Sequence, residues 1–573
     1  MSDLVRGRLW IVSLLTLTGG TPAMGDPPDW LRIGSEAMVA SDSAYASQAG
    51  VSILRAGGNA IDAACAVSFA LAVTRPESTG LGGGGFLIAR FADGRVVVAD
   101  FRETAPARAS ADMYVKAQAR HPDGPPPSRI GYVAVAVPGL VRGRAELLQQ
   151  FGSRSLATVL KPAIHLAKEG FAVDEHYVSA CTHVARQYEE YPSLKESCGY
   201  VYRRHLRSGD LPQVGDRLVQ PELGRLLEAL AEQGADVFYT GDVADAIART
   251  MVRRNGVIRR SDLAGYKVAY RKPIRTTYRG YEVVGMPPPS SGGVALAEAL
   301  NILEEINVAL LWRSDQAAVR HFMAEAMKHA FADRARWLGD SDYARVPVGL
   351  LTSKPYAGRL ARTLRPRTTR APETYGTTQI PDDAGTSHFC VVDRWGNCVV
   401  STETINTSFG SLAAVDEWGL ILNNEMDDFT TVPGEANAFG LRQSVNNAVA
   451  PGRRPLSSMT PTIVLETGRP ILLIGASGGP RIISAVLNVT VGVTDLGMSL
   501  EEAIKGRRIH HQWSPDEVVF DAAPDPQIVA DLQSRGHTIS SEYGTGIVQT
   551  IALREGRLIG ASDPRKGGRP DGY

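Results

Sequence analysis

Thr386 follows a glycine inside the stretch DDAGTSHFCVVDRWGNCVVSTETINTSFG, residues 382–410. Within an intact chain a threonine hydroxyl is a weak nucleophile. A cut between Gly385 and Thr386 places that hydroxyl and a free amine on one residue, the pairing used by N-terminal threonine nucleophiles. An α-amine has a pKa of about 8, so part of it is neutral near pH 7 and able to take the hydroxyl proton. Ser387 to Asp393 has strand composition, Trp395-Gly396-Asn397 is a turn, and Cys398 to Ile405 is strand-like again. Thr386 thus stands at the mouth of a buried hairpin, either as an ordinary strand residue or as a nucleophile released by cutting.

Other residues with chemical potential are scattered along the chain. ILLIGASGGPRI, residues 471–482, reads as a strand, a Gly478-Gly479 turn and a helix start. Backbone N–H groups at such a turn make an anion cradle, the form an oxyanion hole takes. Arg102 ends the strand-like VVVADFR, where a guanidinium can clamp a carboxylate or simply sit in solvent. Gly80-x-Gly82-x-x-Gly85 satisfies the dinucleotide fingerprint by letter, but an apolar helix precedes it and a strand follows, the reverse of the required order. A turn for close backbone approach is the better reading. No CxxC or His/Cys cluster has metal spacing, and His510-His511 is a lone pair. No metal and no cofactor are implied.

The elements that position these residues suit an α+β fold. The 573 residues are 44% hydrophobic and 21% charged, enough for a large core. Lys+Arg equals Asp+Glu at 61 each, which gives no reason to expect a nucleic-acid or anionic-membrane partner. Arg6 and Arg8, the short apolar run Leu9 to Leu17 and the small-residue site Ala23-Met24-Gly25 predict a signal peptide over residues 1–25 and an exported, periplasmic or secreted protein. Asp3 is unusual there and leaves an uncleaved anchor as the alternative. Gln48 to Val73 predicts two packed helices, the second almost wholly buried, and residues 136–253 a largely helical region. Residues 353–385, rich in Arg, Thr, Pro and Gly, predict a flexible linker ending at Gly385. Of five cysteines, Cys181 and Cys198 could pair in an oxidising compartment, whereas Cys390 and Cys398 suit small core positions.

TSH with DRWGN, TETINTSFG, NNEMDDF, RRPLSSMTPTIV and GASGGPRI resemble, in order and spacing, the γ-glutamyltransferases (γ-glutamyl transpeptidase/glutathione hydrolase). Upstream, AGGNAIDAA, TGLGGGGF, DFRETAPA, VAVPG, PPPSSGG and HFMAEAMKHAFADRARWLGD resemble that family's large subunit. The resemblance implies a precursor that cuts itself at Gly385-Thr386 into a large subunit, 26–385, and a small subunit, 386–573. Both form one four-layer αββα sandwich of the N-terminal-nucleophile type, with a helical elaboration on the large subunit. It implies Thr386 as nucleophile, Thr404 as the residue that orients it, and Gly478 and Gly479 as the oxyanion pair. Asn406, Glu425 and Asp428 match residues that hold the substrate ammonium, to which two carboxylates and an amide oxygen are suited acceptors. Arg102, Ser457 and Ser458 match those that bind the α-carboxylate.

The implied activity is cleavage of glutathione and other γ-glutamyl amides, with transfer to water or to an amino-acid or dipeptide acceptor, away from any membrane once the signal is removed. The main alternative is a glutaryl- or cephalosporin-type acylase of the same fold, whose substrate lacks the ammonium and leaves Glu425 and Asp428 without a partner. A non-catalytic exported binding protein is a third, and requires that Thr386 stay internal. Cys390 and Val400 depart from the family pattern inside the hairpin without altering its chemistry. Glu425 falls where members carry Glu or Gln. Phe439 falls where some members have a lid-latching tyrosine, which puts the water-to-amine balance in question.

Overall fold

The computed structural model describes residues 27–376, 385–431 and 444–573. The signal segment and Phe439 lie outside them. Two seven-stranded sheets face each other, every neighbouring pair antiparallel. One runs, edge to edge, Asp571–Gly572, Met38–Ser41, Ser387–Val392, Cys398–Thr404, Gly84–Arg90, Val96–Asp100, Ala269–Tyr270. The other runs Leu31–Gly34, Arg557–Ser562, Ile547–Arg554, Arg469–Ser477, Thr462–Glu466, Tyr281–Gly285, Ile274–Tyr278.

Side-chain alternation builds the layers. In the first sheet Phe389, Val391 and Val399 face a helical layer that includes Ala44–Arg55 and Ala60–Thr74. Cys390, Val392 and Val400 face the opposite way, into a core shared with Ile463, Leu472, Ile474 and Ile551 of the second sheet. Helices Gly292–Glu304, Gln316–Trp337 and Arg481–Thr494 cover that second sheet from outside. The order is helix, sheet, sheet, helix. The Ala60–Thr74 helix is buried along its whole length, and its start is fixed by Asn59, whose side chain accepts from Ile61 N and Asp62 N.

The glycine-rich turn at 80–85 is a close-approach device. A Cβ on Gly82 would lie 2.1 Å from Ile421 O, and one on Gly83 2.1 Å from Thr404 O, so only glycine lets this turn abut the hairpin.

Two expectations need correction. Lys354–Ala361 is a helix capped by Ser353, with Tyr356 and Ala357 packed into the core, so much of the expected linker is ordered. Short apolar spacing beside many arginines hid that amphipathic face. Cys181 and Cys198 are free buried thiols, as are the other three cysteines, and Cys181 contacts His205 O at 3.7 Å. Burial pushes the Cys181 thiol up to about 12, as expected of a small core side chain.

Candidate active site

The register of the central hairpin decides what Thr386 meets. Ser387 pairs with Glu403, so Thr386, one residue earlier, stands opposite Thr404. Thr404 ends a strand whose even residues point between the sheets, and Thr386, just before Ser387–Val392, continues the same alternation, so both hydroxyls open toward the second sheet. Thr386 Oγ1 lies 2.5 Å from Gly385 O and 3.5 Å from Thr404 Oγ1. Thr404 Oγ1 donates to Gly385 O at 3.0 Å and accepts from Asn406 N at 2.7 Å. In the uncut chain the carbonyl before Thr386 is therefore polarised by one hydroxyl and approached by another. Gly385 is at φ +83°, a left-handed conformation that suits glycine.

Facing the hairpin, Arg469–Ser477 runs into Gly478 and Gly479, at φ +120° and +48°, and the helix Arg481–Thr494 begins two residues later. Among the described residues neither glycine N–H donates to a protein group, so both remain for a ligand at the helix start. Gly479 borders the same cleft as Thr386, with Gly478 preceding it in the turn.

The rest of the cleft holds the predicted charged and hydroxyl groups. Arg102 Nη1 pairs with Glu425 Oε2 at 2.6 Å and Nη2 with Asp428 Oδ2 at 2.5 Å. Glu103 lies 3.7 Å from Nη1. Tyr266 OH donates to Arg102 O at 2.8 Å and holds its backbone. Burial drives Glu425 well above the ordinary carboxylate range despite the neighbouring guanidinium, and lifts Asp428 to about 6 and Glu103 to about 8. Asn406 Nδ2 donates to Asn424 O at 3.0 Å, which leaves the amide oxygen as an acceptor beside Asp428. Ser457 and Ser458 also line the cleft, tied down by the PPPSSGG loop. Ser457 N donates to Pro289 O at 2.8 Å, and Ser291 donates to Ser457 O through both N and Oγ.

Every predicted site residue except Gly385, Glu425 and Gly478 thus borders one cleft, and Glu425 pairs with Arg102 from outside that lining. The cavity is about 20 Å³, room for about one water molecule. Arg102 is paired with Glu425 and Asp428, and a guest that binds them exchanges those pairs. A zwitterion can do so by supplying both an anion for the arginine and a cation for the carboxylates.

Sequence reasoning missed three contributors. Arg334, from the helix Gln316–Trp337, lines the cleft and donates to Ser291 Oγ at 2.9 Å and Ser458 Oγ at 3.3 Å. Its motif was visible, but helix periodicity does not say that one arginine turns inward. Lys566 Nζ donates to Thr386 O at 2.8 Å and pairs with Asp42 Oδ2 at 2.6 Å. Ser291 is the third, and links the PPPSSGG loop to Arg334 and to Ser457 O. The fold also gathers His321, Glu325 and His537, whose ligand atoms lie within 4.8 Å of one another, a cluster that no sequence spacing revealed. His321 Nδ1 and His537 Nε2 share a 2.7 Å hydrogen bond, and Glu325 accepts from Thr369 and Tyr375, so these groups satisfy one another.

A profile of the Gamma-glutamyltranspeptidase family matches residues 46–573. The chain belongs to that family. The glutathione hydrolase proenzyme of Escherichia coli (strain K12) is 41% identical over 538 residues, 92% of this chain and 90% of its own. The acylase ACY 1 proenzyme of Pseudomonas sp. (strain SE83) is 38% identical over 546 residues, 94% of this chain and 93% of its own. Among solved structures, the cephalosporin acylase from Bacillus halodurans superposes with a TM-score of 0.83 at 26% identity, covering 98% of this chain and 99% of that one. Family members share the αββα sandwich, and both transpeptidases and acylases are built on it. The fold alone does not choose between the two activities.

Proposed function

We propose that this protein is a self-processing γ-glutamyl hydrolase and transferase. It cleaves glutathione and other γ-glutamyl amides through a γ-glutamyl ester on Thr386. The observation that carries this reading is the Arg102–Asp428 pair in the cleft of Thr386, with Glu425 paired to Arg102 beyond the cleft wall. It offers a buried cation and buried carboxylates to an acyl group bearing both charges.

In maturation, Thr386 Oγ bonds to the Gly385 carbonyl carbon while Thr404 steadies the carbonyl oxygen. The C–N bond breaks, the amine keeps the proton lost by the hydroxyl, and water then hydrolyses the ester. The pieces are 26–385 and 386–573. In turnover, the freed amine takes the Thr386 hydroxyl proton as the oxygen attacks the substrate γ-carbonyl. The Gly478 and Gly479 N–H groups stabilise the oxyanion, and the proton passes to the departing amine. Water or an acceptor amine then resolves the ester and releases glutamate or a new γ-glutamyl amide. Residues 1–25 serve as an export signal, and the processed enzyme works in the periplasm or outside the cell.

The acylase at 38% identity gives a second reading, a glutaryl acylase using the same Thr386 ester. It leaves two buried carboxylates without a cationic guest group, a cost the γ-glutamyl reading avoids. Anilide release from γ-glutamyl-anilide and from glutaryl-anilide separates the two. A strong preference for γ-glutamyl is expected, and a preference for glutaryl overturns the reading.

A further inference from the structure

The cleft carries two guanidinium groups, and their surroundings differ. Arg102 is neutralised by Glu425 and Asp428. Arg334 is 2% exposed and makes no ion pair with any described residue. The Asp428 carboxylate favours the Arg334 charge through space without pairing with it. Two of its three nitrogens are occupied, Nε by Ser291 Oγ and Nη2 by Ser458 Oγ, while buried Nη1 has no hydrogen-bond partner. A buried guanidinium nitrogen without an acceptor is costly unless a ligand supplies one. The nearby wall residues Leu456, Met459 and Ile482 are apolar and cannot.

Arg334 also sets the proton of Ser458. A hydroxyl has one hydrogen, so Ser458 Oγ, accepting from Arg334 Nη2, keeps its own O–H to donate elsewhere. Ser457 Oγ likewise accepts, from Met459 N at 3.1 Å, and keeps a donor. One cationic nitrogen and two hydroxyl donors therefore belong to residues that line the same cleft as Asp428.

We propose that Arg334 is a specificity-determining residue for the carboxylate of the acyl group. Nη1 binds that carboxylate, and Nη2 fixes Ser458 to donate to it. The inference rests on the proposed function only in requiring an acyl group that bears a carboxylate, which γ-glutamyl and glutaryl groups share. Once a substrate ammonium engages Asp428 and Glu425, Arg102 and Arg334 hold the carboxylate from two sides. Burial lowers the Arg334 guanidinium to about 10, so it remains charged through the neutral range.

The test compares wild type, Arg334→Gln and Arg334→Lys on three anilides: γ-glutamyl, glutaryl, and 4-aminobutyryl, which lacks the carboxylate. Arg334→Gln is expected to lose about 100-fold in kcat/KM on the first two, mainly through KM, and under about 3-fold on 4-aminobutyryl. Arg334→Lys keeps charge but not the fork, and is expected to lose about 10-fold on the carboxylate-bearing pair alone. Equal losses on all three substrates, in whichever variant folds and is cut, overturn the inference. So does a wild-type enzyme that handles 4-aminobutyryl as well as γ-glutamyl. A wild type that prefers glutaryl overturns the γ-glutamyl reading and leaves this inference standing. If wild type releases no anilide, titration calorimetry with L-glutamate against 4-aminobutyrate puts the question to binding alone. Tighter glutamate binding that Arg334→Lys abolishes supports the inference, and equal binding overturns it.

Discussion

At the scale of single residues, the cleft separates bond-making from recognition. Thr386 Oγ1 sits 2.5 Å from the Gly385 carbonyl oxygen, so Thr386→Ala is expected to leave one uncut chain without turnover. Denaturing electrophoresis showing two pieces in that variant would remove Thr386 from the mechanism. Asp428 lines the cleft, paired with Arg102, and on the proposed function receives the substrate ammonium. Asp428→Ala is expected to raise KM for γ-glutamyl-anilide by about 30-fold or more, the scale of one charge-assisted hydrogen bond, with cutting intact. The pH dependence has a definite sign. Burial raises the Asp428 carboxyl to about 6, so below that pH it is protonated and loses its attraction for a cation. KM for γ-glutamyl-anilide should climb as pH falls through 6 while KM for the glutaryl analogue does not. Parallel profiles for the two substrates would contradict that assignment.

At the scale of elements, small residues allow the two sheets to close on the hairpin. His388, next to Ser387 in the first sheet, bonds Thr402 Oγ1 at 2.8 Å and lies against Gly475 of the second. A Cβ on Gly475 would fall 2.2 Å from His388 Cε1, so Gly475→Ala forces ring or sheet to shift. The expected cost is about 1–3 kcal/mol, read as a lowered thermal midpoint. Because Gly475 and Gly479 share one chain run, the shift should also slow anilide release. An unchanged midpoint would show that the sheets yield more easily than close packing implies. The hairpin itself was legible from alternation around WGN, as was the strand–glycine–helix run at 471–482. The helix Lys354–Ala361 was not, because its apolar face is short and only Gly292–Glu304 and its neighbours give it a surface to bury against.

At the scale of the molecule, both sheets draw strands from each side of Gly385-Thr386. In the first, Ser387–Val392 lies between Met38–Ser41 and Cys398–Thr404; in the second, Thr462–Glu466 pairs with Tyr281–Gly285. The two pieces should therefore co-elute after cutting and separate only in denaturant. Elution of the 386–573 piece alone from native gel filtration would contradict the interleaving. The buried Arg144–Glu403 pair bridges the same divide, with Arg144 also donating to Ser401 Oγ at 2.6 Å and Ser68 Oγ at 3.0 Å. Glu403→Ala leaves a buried guanidinium uncompensated, an expected loss of about 3–5 kcal/mol in denaturant unfolding.

What the sequence determined by itself was local order and family. Alternation set the hairpin, glycine spacing set the turns, and the ordered motifs from AGGNAIDAA to GASGGPRI brought Thr386, Arg102, Asp428 and the serine pair onto one list of site residues. What only the tertiary structure decided was charge pairing. Whether an arginine is neutralised depends on groups hundreds of positions away, and helix or strand periodicity carries no information about them. Arg102 meets Glu425 and Asp428 across more than three hundred residues, Lys566 reaches Thr386 from near the C-terminus, and Arg334 lines the cleft with one buried nitrogen unpaired. Burial then shifts Asp428 and Arg334 away from their ordinary pKa values, because the cost of desolvation exists only once the sheets and helices have closed around them.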